Sequence, residues 1–204
     1  MKILGIISFL TLSLMTVLTG TSHAAEYDVD KSAKNIARFV SSLKFDTFEG
    51  ITDKIDGYVK WDGTQPVDET LSSANNELYF EVLLASLDTG IGLRNRHMRE
   101  NCLETDKYPY ASYKAHITKV EKQSDGSFAI TAEGKFTIHG VEKPMTITGT
   151  VTQENNGYHV KSDFVVRLTD HNIEVPTLMF LKINENIKVS VDFFVKGVST
   201  TGGK

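Results

Sequence analysis

The chain has very few of the residues that cross-link a fold or divide it into segments. Its 204 residues include one cysteine and four prolines. A single cysteine excludes an internal disulfide framework and a zinc site built from cysteines alone. Fifteen glycines and four prolines are too few for a collagen-like or low-complexity chain. With 40% hydrophobic and 24% charged residues, the composition is that of a globular protein.

Positive charge is also scarce. The 22 Lys and Arg are outnumbered by 26 Asp and Glu, which gives a formal net charge of −4. Nucleic-acid binders carry a basic patch or stripe that meets the phosphates, so this balance argues against a nucleic-acid partner. Beyond residue 25 no apolar run is long enough to cross a bilayer, and we expect no stable membrane span.

The one long apolar run lies at the amino terminus. Lys2 precedes an apolar stretch from Ile3 to Leu18, and a short run of small residues ends at Ala24. This is the pattern of a cleaved secretory signal peptide, and the stretch is shorter than the ~20 residues of a membrane-spanning helix. We therefore expect residues 1–24 to be a signal peptide. Residues 25–204 are then one exported domain with a sizeable core.

Apolar and polar residues alternate along most of the mature chain. The stretch from Phe128 to Ile138 has apolar residues at every second position, and Tyr158–Leu168 and Val189–Val195 repeat the pattern. Side chains of a strand point to opposite faces in turn, so this period predicts strands buried on one face. We expect an all-β fold of about eight antiparallel strands. Alternation alone fits both a sandwich and a closed barrel.

Glycine dipeptides predict where the strands turn. Asp125-Gly126 and Asn156-Gly157 are typical of two-residue type I′ hairpin turns, and His139-Gly140 followed by Pro144 closes another hairpin. Residues 93–102 break the alternation and contain good helix formers, so we expect a short helix there that leans on the sheet. The helix face or an exposed strand edge offers a surface for a homodimer.

Asp88-Thr89-Gly90 resembles the active-site tripeptide of aspartic proteases, and it follows an apolar segment, Leu83–Leu87, that we interpret as a strand. Two such aspartates sharing a proton would hydrolyse amide bonds, and a single copy would require a homodimer. This acid hydrolase is the alternative functional hypothesis. Three-residue motifs also recur by chance, and Ile91 stands where that family has a small residue.

Other polar candidates have weaker patterns. The five mature histidines are not spaced as metal ligands, so no metal site is expected. Cys102 with a histidine would make a nucleophile pair, but no local signature supports it, and a buried thiol is the better interpretation. Arg94, Arg96, His97 and Arg99 form a basic cluster that suits an anionic head group and equally suits a solvated helix face.

The expected buried faces contain many large side chains. Periodicity by itself favours a packed core for them over a ligand pocket. The positions are Phe39, Phe45, Phe48, Val59, Trp61, Phe80, Val82, Leu84, Phe136, Ile138, Phe164, Val166, Val191 and Phe193.

Four ordered motifs resemble those of the YceI-like family, and together they extend over most of the mature chain. They are Ser86-Leu87-Asp88-Thr89-Gly90, Arg94-Asn95-Arg96-His97-Met98, Lys107-Tyr108-Pro109 and Thr137-Ile138-His139-Gly140-Val141-Glu142-Lys143-Pro144.

The resemblance implies an exported, periplasmic bacterial protein with a lipocalin-like antiparallel β-barrel. Members hold a long apolar molecule such as a polyisoprenoid, a quinone-like compound or a fatty acyl chain or amide. They need no cofactor and are not established enzymes, so Asp88-Thr89-Gly90 becomes a family signature. The apolar positions above would then line a tunnel, with the basic cluster near its head-group end. Asn95, Cys102 and Leu103 depart from the family's pattern, as does the absence of a histidine in Leu43–Asp46.

Overall fold

The computed structural model describes residues 24–43, 46–63, 66–178 and 181–198. Within them, twelve strands and several short helical turns follow one another. The strands are β1 (Ala24–Val29), β2 (Ile36–Ser42), β3 (Thr47–Thr52), β4 (Ile55–Asp62), β5 (Asn76–Leu83), β6 (Tyr110–Lys122), β7 (Phe128–Ile138), β8 (Val141–Glu154), β9 (Gly157–Arg167), β10 (Thr177–Leu178), β11 (Leu181–Lys182) and β12 (Asn186–Gly197).

Eight of these strands close into an antiparallel barrel. The order around the ring is β1, β4, β5, β6, β7, β8, β9 and β12, and β12 pairs again with β1. The prediction of an eight-stranded barrel is confirmed, and the ring decides the choice between barrel and sandwich. Closure gives each of these eight strands a neighbour on both sides, so the ring itself has no open edge.

Strands β2 and β3 form a flap that extends one side of the barrel. Strands β2 and β1 pair with the same edge of β12, one after the other. Strand β2 pairs with its first half, Lys188–Asp192, and β1 pairs with its end, Val195–Gly197. Strand β3 pairs with β2 and is fastened by a bridge between Ile51 and Asp88. Strand β3 is the outer strand of the flap. The sequence predicted a homodimer contact at an exposed strand edge such as this one, and that contact stays a prediction.

A β-bulge explains the weak alternation of the sequence in β6. The register with β7 shifts between Ile117 and Lys119. The extra residue of the bulge shifts the alternation by one position, so that side chains after it point to the opposite face from the one that strict alternation predicts. Tyr113, Ile117 and Val120 are therefore all buried although their spacing is not uniformly two.

The hairpin turns differ in detail from the predictions. The turn between β7 and β8 has the backbone of a type I′ turn, because its two central residues, His139 and Gly140, both have positive φ (53° and 71°). At Asp125-Gly126 only the glycine has positive φ, because that connection is five residues long and Asp125 instead accepts a hydrogen bond from the Ser127 backbone. Asn155 and Asn156 form the turn before β9, one residue earlier than expected.

One end of the barrel, here called the closed end, is filled by aromatic side chains. The rings of Tyr27 and Trp61 stack with centroids 5.1 Å apart, and Tyr158 meets Tyr27 edge-on. A 3₁₀ helix, Glu69–Ser73, covers them with buried Leu71, and the Val67 backbone N–H donates to the Tyr158 hydroxyl at 3.0 Å. These contacts close this end of the barrel.

The opposite end, the mouth, is covered by residues 91–103, here called the lid. The lid contains helix α1 (Gly92–His97), which continues into a π-helical turn, Met98–Cys102. The predicted helix near residues 93–102 is confirmed. Within the described residues, no helix has the length and apolarity to cross a membrane.

The segment before the lid is not the strand that the sequence suggested. Strand β5 ends at Leu83, and Leu84–Ser86 form a 3₁₀ turn. The Ser86 hydroxyl donates to the Leu83 carbonyl at 2.6 Å, which stabilises the turn against further extension. A second such turn, Leu168–His171, follows β9 and packs beside the lid.

Candidate ligand-binding site

The barrel encloses a cavity of about 350 Å³ between the closed end and the lid. Its lining is almost entirely apolar, because the inward faces of the ring strands carry apolar side chains and few polar atoms reach the surface of the cavity. This volume lies in the range of small-molecule sites in proteins. An interior of this size that stays apolar suits the hydrocarbon part of a ligand better than water.

The structure places thirteen of the fourteen predicted tunnel residues around this cavity. Phe45 lies outside the described residues. That the thirteen contact a ligand is a proposal, taken up below. The lining residues are Phe39, Phe48, Val59, Trp61, Phe80, Val82, Leu84, Phe136, Ile138, Phe164, Val166, Val191 and Phe193.

The aromatic members of this set pack in pairs across the wall. Phe80 meets Phe193 with ring centroids 4.9 Å apart, and Phe136 meets Phe164 at 5.9 Å, both edge-to-face. Phe39 packs against Phe48 of the flap in the same way. Such pairs prefer this geometry and hold each other's rotamers, so they give the cavity a defined shape.

Sequence reasoning missed two groups of lining residues. The first group is aliphatic and lies on the same strand faces, but the predicted set took only some of the positions of each face. The second group comes from the lid and from the segment after β9, which have no strand period to reveal them. The two groups include Ile55, Leu78, Ile117, Ile130, Ile147, Val160 and Val189, and Met98, Cys102, Leu103, Ile173 and Ile183.

The four basic candidates of the lid separate into two kinds. Arg94 and His97 line the cavity at the mouth, whereas Arg96 and Arg99 do not. Arg96 is exposed to solvent. Arg99 is turned toward the protein, and its Nη2 donates to the Leu87 carbonyl at 3.2 Å. Only two of the four therefore lie where a ligand in the cavity would end.

Arg94 is held firmly at the mouth. Its Nε donates to the Thr89 hydroxyl at 2.9 Å, and its Nη2 donates to the Thr89 carbonyl at 2.7 Å. Its guanidinium also lies 4.4 Å from the centre of the Phe48 ring, a cation–π contact with the flap. These contacts fix the guanidinium plane, and its remaining N–H groups stay able to donate.

Asp88-Thr89-Gly90 serves as an anchor for the lid. The Asp88 carboxylate accepts from the Asn95 side chain at 2.7 Å and from the Gly90 backbone at 2.8 Å, and these bonds hold its pKa below the usual value. The Asn95 carbonyl oxygen accepts in turn from the Thr89 backbone and hydroxyl. The exposed carboxylate is thus bonded within its own turn and to the lid, and this geometry gives the acid-hydrolase hypothesis no support.

Cys102 is half-buried at the mouth, where it lines the cavity beside Met98. Burial, with a smaller contribution from Glu174, raises the pKa of its thiol. A thiol that resists ionisation is a poor nucleophile, so Cys102 contributes here as a small apolar side chain. Among the described residues, no three His, Cys, Asp or Glu side chains gather in a way that would hold a metal ion.

Ser41 of the flap has a buried hydroxyl group that forms no hydrogen bond with the described residues. The residue is 1% exposed, and in the part of the chain that the structure describes its Oγ has no hydrogen-bond partner. An unsatisfied buried polar group costs about 1–3 kcal/mol. We therefore expect Ser41→Ala to raise the free energy of unfolding by about 1 kcal/mol in urea denaturation. Ser42→Ala, on the outward face, serves as the control and should change little; a less stable Ser41→Ala protein would contradict the prediction.

Comparison with known proteins agrees with this architecture. A sequence profile of the YceI-like domain matches residues 27–195. A UPF0312 protein of Yersinia enterocolitica is 27% identical over 173 residues, which cover 80% of this chain and 84% of the relative. A UPF0312 protein of Yersinia pestis matches to the same extent.

Two solved structures share the fold. The polyisoprenoid binding domain from Saccharophagus degradans superposes with a TM-score of 0.66 at 20% identity, covering 84% of this chain and 98% of that domain. BcnA of Burkholderia cenocepacia gives a TM-score of 0.64 at 19% identity, covering 82% and 99%. With the domain profile matched along most of its length, the chain belongs to the YceI-like family, as its sequence motifs predicted.

Proposed function

We propose that this protein binds one long apolar molecule inside its barrel, and that it acts by carriage or sequestration without catalysis. The observation that carries the proposal is the cavity of about 350 Å³ with its almost wholly apolar lining. The proposed ligand is a polyisoprenoid, a quinone-like compound or a fatty acyl chain or amide. The solved polyisoprenoid binding domain of the same fold supports this choice of ligand class.

The energetics of such binding need no special chemistry. Burying hydrocarbon contributes about 0.8 kcal/mol per CH₂, so a tail of about sixteen carbons gains on the order of 12 kcal/mol before costs. Association and ordering cost a large part of that sum. Micromolar or tighter binding then follows from the shape and apolarity of the cavity alone.

The tail of the ligand lies along the thirteen predicted wall residues, and its polar end lies at the mouth. There Arg94, already oriented by Thr89, offers N–H groups to an oxygen of the head group, and His97 lies beside it on the lid. Arg96 and Arg99 are left out of this proposal because neither lines the cavity.

Export is part of the same proposal. The signal-like pattern of residues 1–24 supports secretion to the periplasm, where an insoluble ligand would require a carrier. Residues 1–23 lie outside the described part of the chain. Strand β1 begins at Ala24, next to the predicted cleavage position.

The proposal is tested by analysing what the protein carries. The full chain is expressed, purified from the periplasmic fraction without detergent, extracted with organic solvent and analysed by mass spectrometry. One stoichiometric apolar species would identify the cargo of a dedicated carrier, and a mixture would indicate promiscuous sequestration. An empty extract, combined with no binding of cis-parinaric acid in solution, would overturn the proposal.

A further inference from the structure

We infer that the outer face of the lid docks on an anionic phospholipid bilayer and holds the mouth of the barrel against the membrane. The first observation is the exposure of two large apolar side chains on this short segment. Ile91 is 52% exposed and Leu93 is 76% exposed, the largest value among the exposed large hydrophobic residues of the described chain. Exposed apolar side chains that cluster on one small surface mark an interaction site.

The second observation is the charge of the same segment. Residues 91–103 contain three arginines and one acidic residue, Glu100, in a chain whose net charge is −4. Two of the arginines are turned toward the cavity or the protein, as described above, so Arg96 is the arginine that this segment exposes. Arg96 is exposed beside Leu93, and among the described residues none of the three arginines forms an ion pair with a carboxylate. Exposed apolar side chains beside a cation that has no carboxylate partner match the interface of an anionic membrane, where the apolar groups insert and the cation meets phosphates.

The third observation is where the lid lies. Its inner side, with Arg94, His97, Met98 and Cys102, lines the cavity, while Ile91, Leu93 and Arg96 face solvent on the same segment. A bilayer bound to the outer side would therefore be separated from the cavity by the thickness of the lid alone. A ligand that is insoluble in water could then exchange with the membrane without crossing water, a purpose that rests on the proposed function.

Vesicle flotation tests the inference. The full chain is mixed with vesicles of phosphatidylethanolamine and phosphatidylglycerol, and separately with vesicles of phosphatidylcholine. We expect flotation with the anionic vesicles, weaker flotation with phosphatidylcholine, and loss of binding at high salt. Leu93→Asp and Arg96→Glu should each lower the bound fraction by about fivefold or more. An aspartate in the first turn of α1 is compatible with helix formation, so the first variant should fold.

Matched controls lie at the other end of the barrel. Val198→Asp changes another exposed apolar residue (44% exposed) near the closed end, and Lys122→Glu reverses an exposed charge there. Both should float like the unaltered protein. The inference would be overturned if the unaltered protein did not float, or if the lid variants and the controls lost binding equally. Flotation of Leu93→Asp at the level of the unaltered protein would also overturn it, because the membrane would then bind another surface.

The membrane-docking surface and the ligand cavity can be tested independently of each other. Binding of cis-parinaric acid in solution is measured on the same preparations, and Leu93→Asp should leave it unchanged because that side chain does not line the cavity. Ligand binding without flotation overturns only the docking surface. Flotation without ligand binding overturns the proposed function and leaves a membrane-binding protein. A stable complex with a second protein that depends on Leu93, without flotation, would replace the membrane with a protein partner.

Discussion

Replacing Val191 with tryptophan lowers the affinity for cis-parinaric acid by more than about tenfold, which is the expected result if the cavity holds the ligand. Val191 lies midway along β12, half-buried, with its side chain on the cavity. The indole would project into space that the hydrocarbon tail needs, and each displaced methylene removes about 0.8 kcal/mol of binding. Fluorescence titration of the purified protein measures the change.

A control on the same strand separates blockage from damage. Lys188→Trp introduces the same side chain on the exposed face of β12 and should bind the probe as the unaltered protein does. Overpacking of a filled core would cost about 1–3 kcal/mol, but the cavity leaves room for the ring, so the Val191 variant should keep most of its stability in urea. Unchanged affinity in a folded Val191→Trp protein would place the ligand elsewhere.

The barrel and its inward faces were predictable because strand periodicity is a local property. A residue such as Phe164 or Val191 is assigned to a face by its neighbours two positions away, and the barrel buries the face that the alternation marks. Where the chain departs from that period, prediction weakens. The bulge after Ile117 in β6 hides a strand of thirteen residues behind an irregular pattern.

The arrangement of the mouth was beyond local reasoning. The sequence placed Arg94, Arg96 and Arg99 in one cluster, but their directions depend on partners distant in the fold, such as the Phe48 ring of the flap that lies against Arg94. The turn at His139-Gly140 shows the same limitation. Histidine tolerates positive φ there while its ring packs on Tyr108 at 4.8 Å and meets the Glu104 carboxylate at 2.7 Å.

The buried hydrogen bonds of Asn76 at the closed end were also not predicted, because a single asparagine forms no recognisable sequence pattern. Asn76 at the start of β5 is buried, 5% exposed, and its side chain joins three parts of the chain. Its Nδ2 lies 3.1 Å from the carbonyl oxygens of Leu71, Ala74 and Ile117, and its Oδ1 accepts from the Ile117 backbone at 2.6 Å. The residue therefore ties the 3₁₀ helix that covers the closed end to the bulge of β6.

Substituting Asn76 with alanine is expected to lower the free energy of unfolding by about 3 kcal/mol. The substitution leaves the Ile117 N–H and several carbonyl oxygens buried without their partner, and each unsatisfied group of this kind costs about 1–3 kcal/mol, with part of that recovered by water entering beside the loosened helix. Urea denaturation followed by tryptophan fluorescence measures the change, since Trp61 lies in the same end of the barrel.

Asn75→Ala is the matched control for this prediction. Asn75 is exposed and makes one long side-chain contact, 3.3 Å to the Asp62 carboxylate, so its loss should change stability by less than about 0.5 kcal/mol. The two variants remove the same chemical group from adjacent positions and differ in burial and in the number of partners. If they unfold at the same urea concentration, the network around Asn76 does not stabilise the closed end, and the apolar packing of Trp61 and Leu71 would hold it alone.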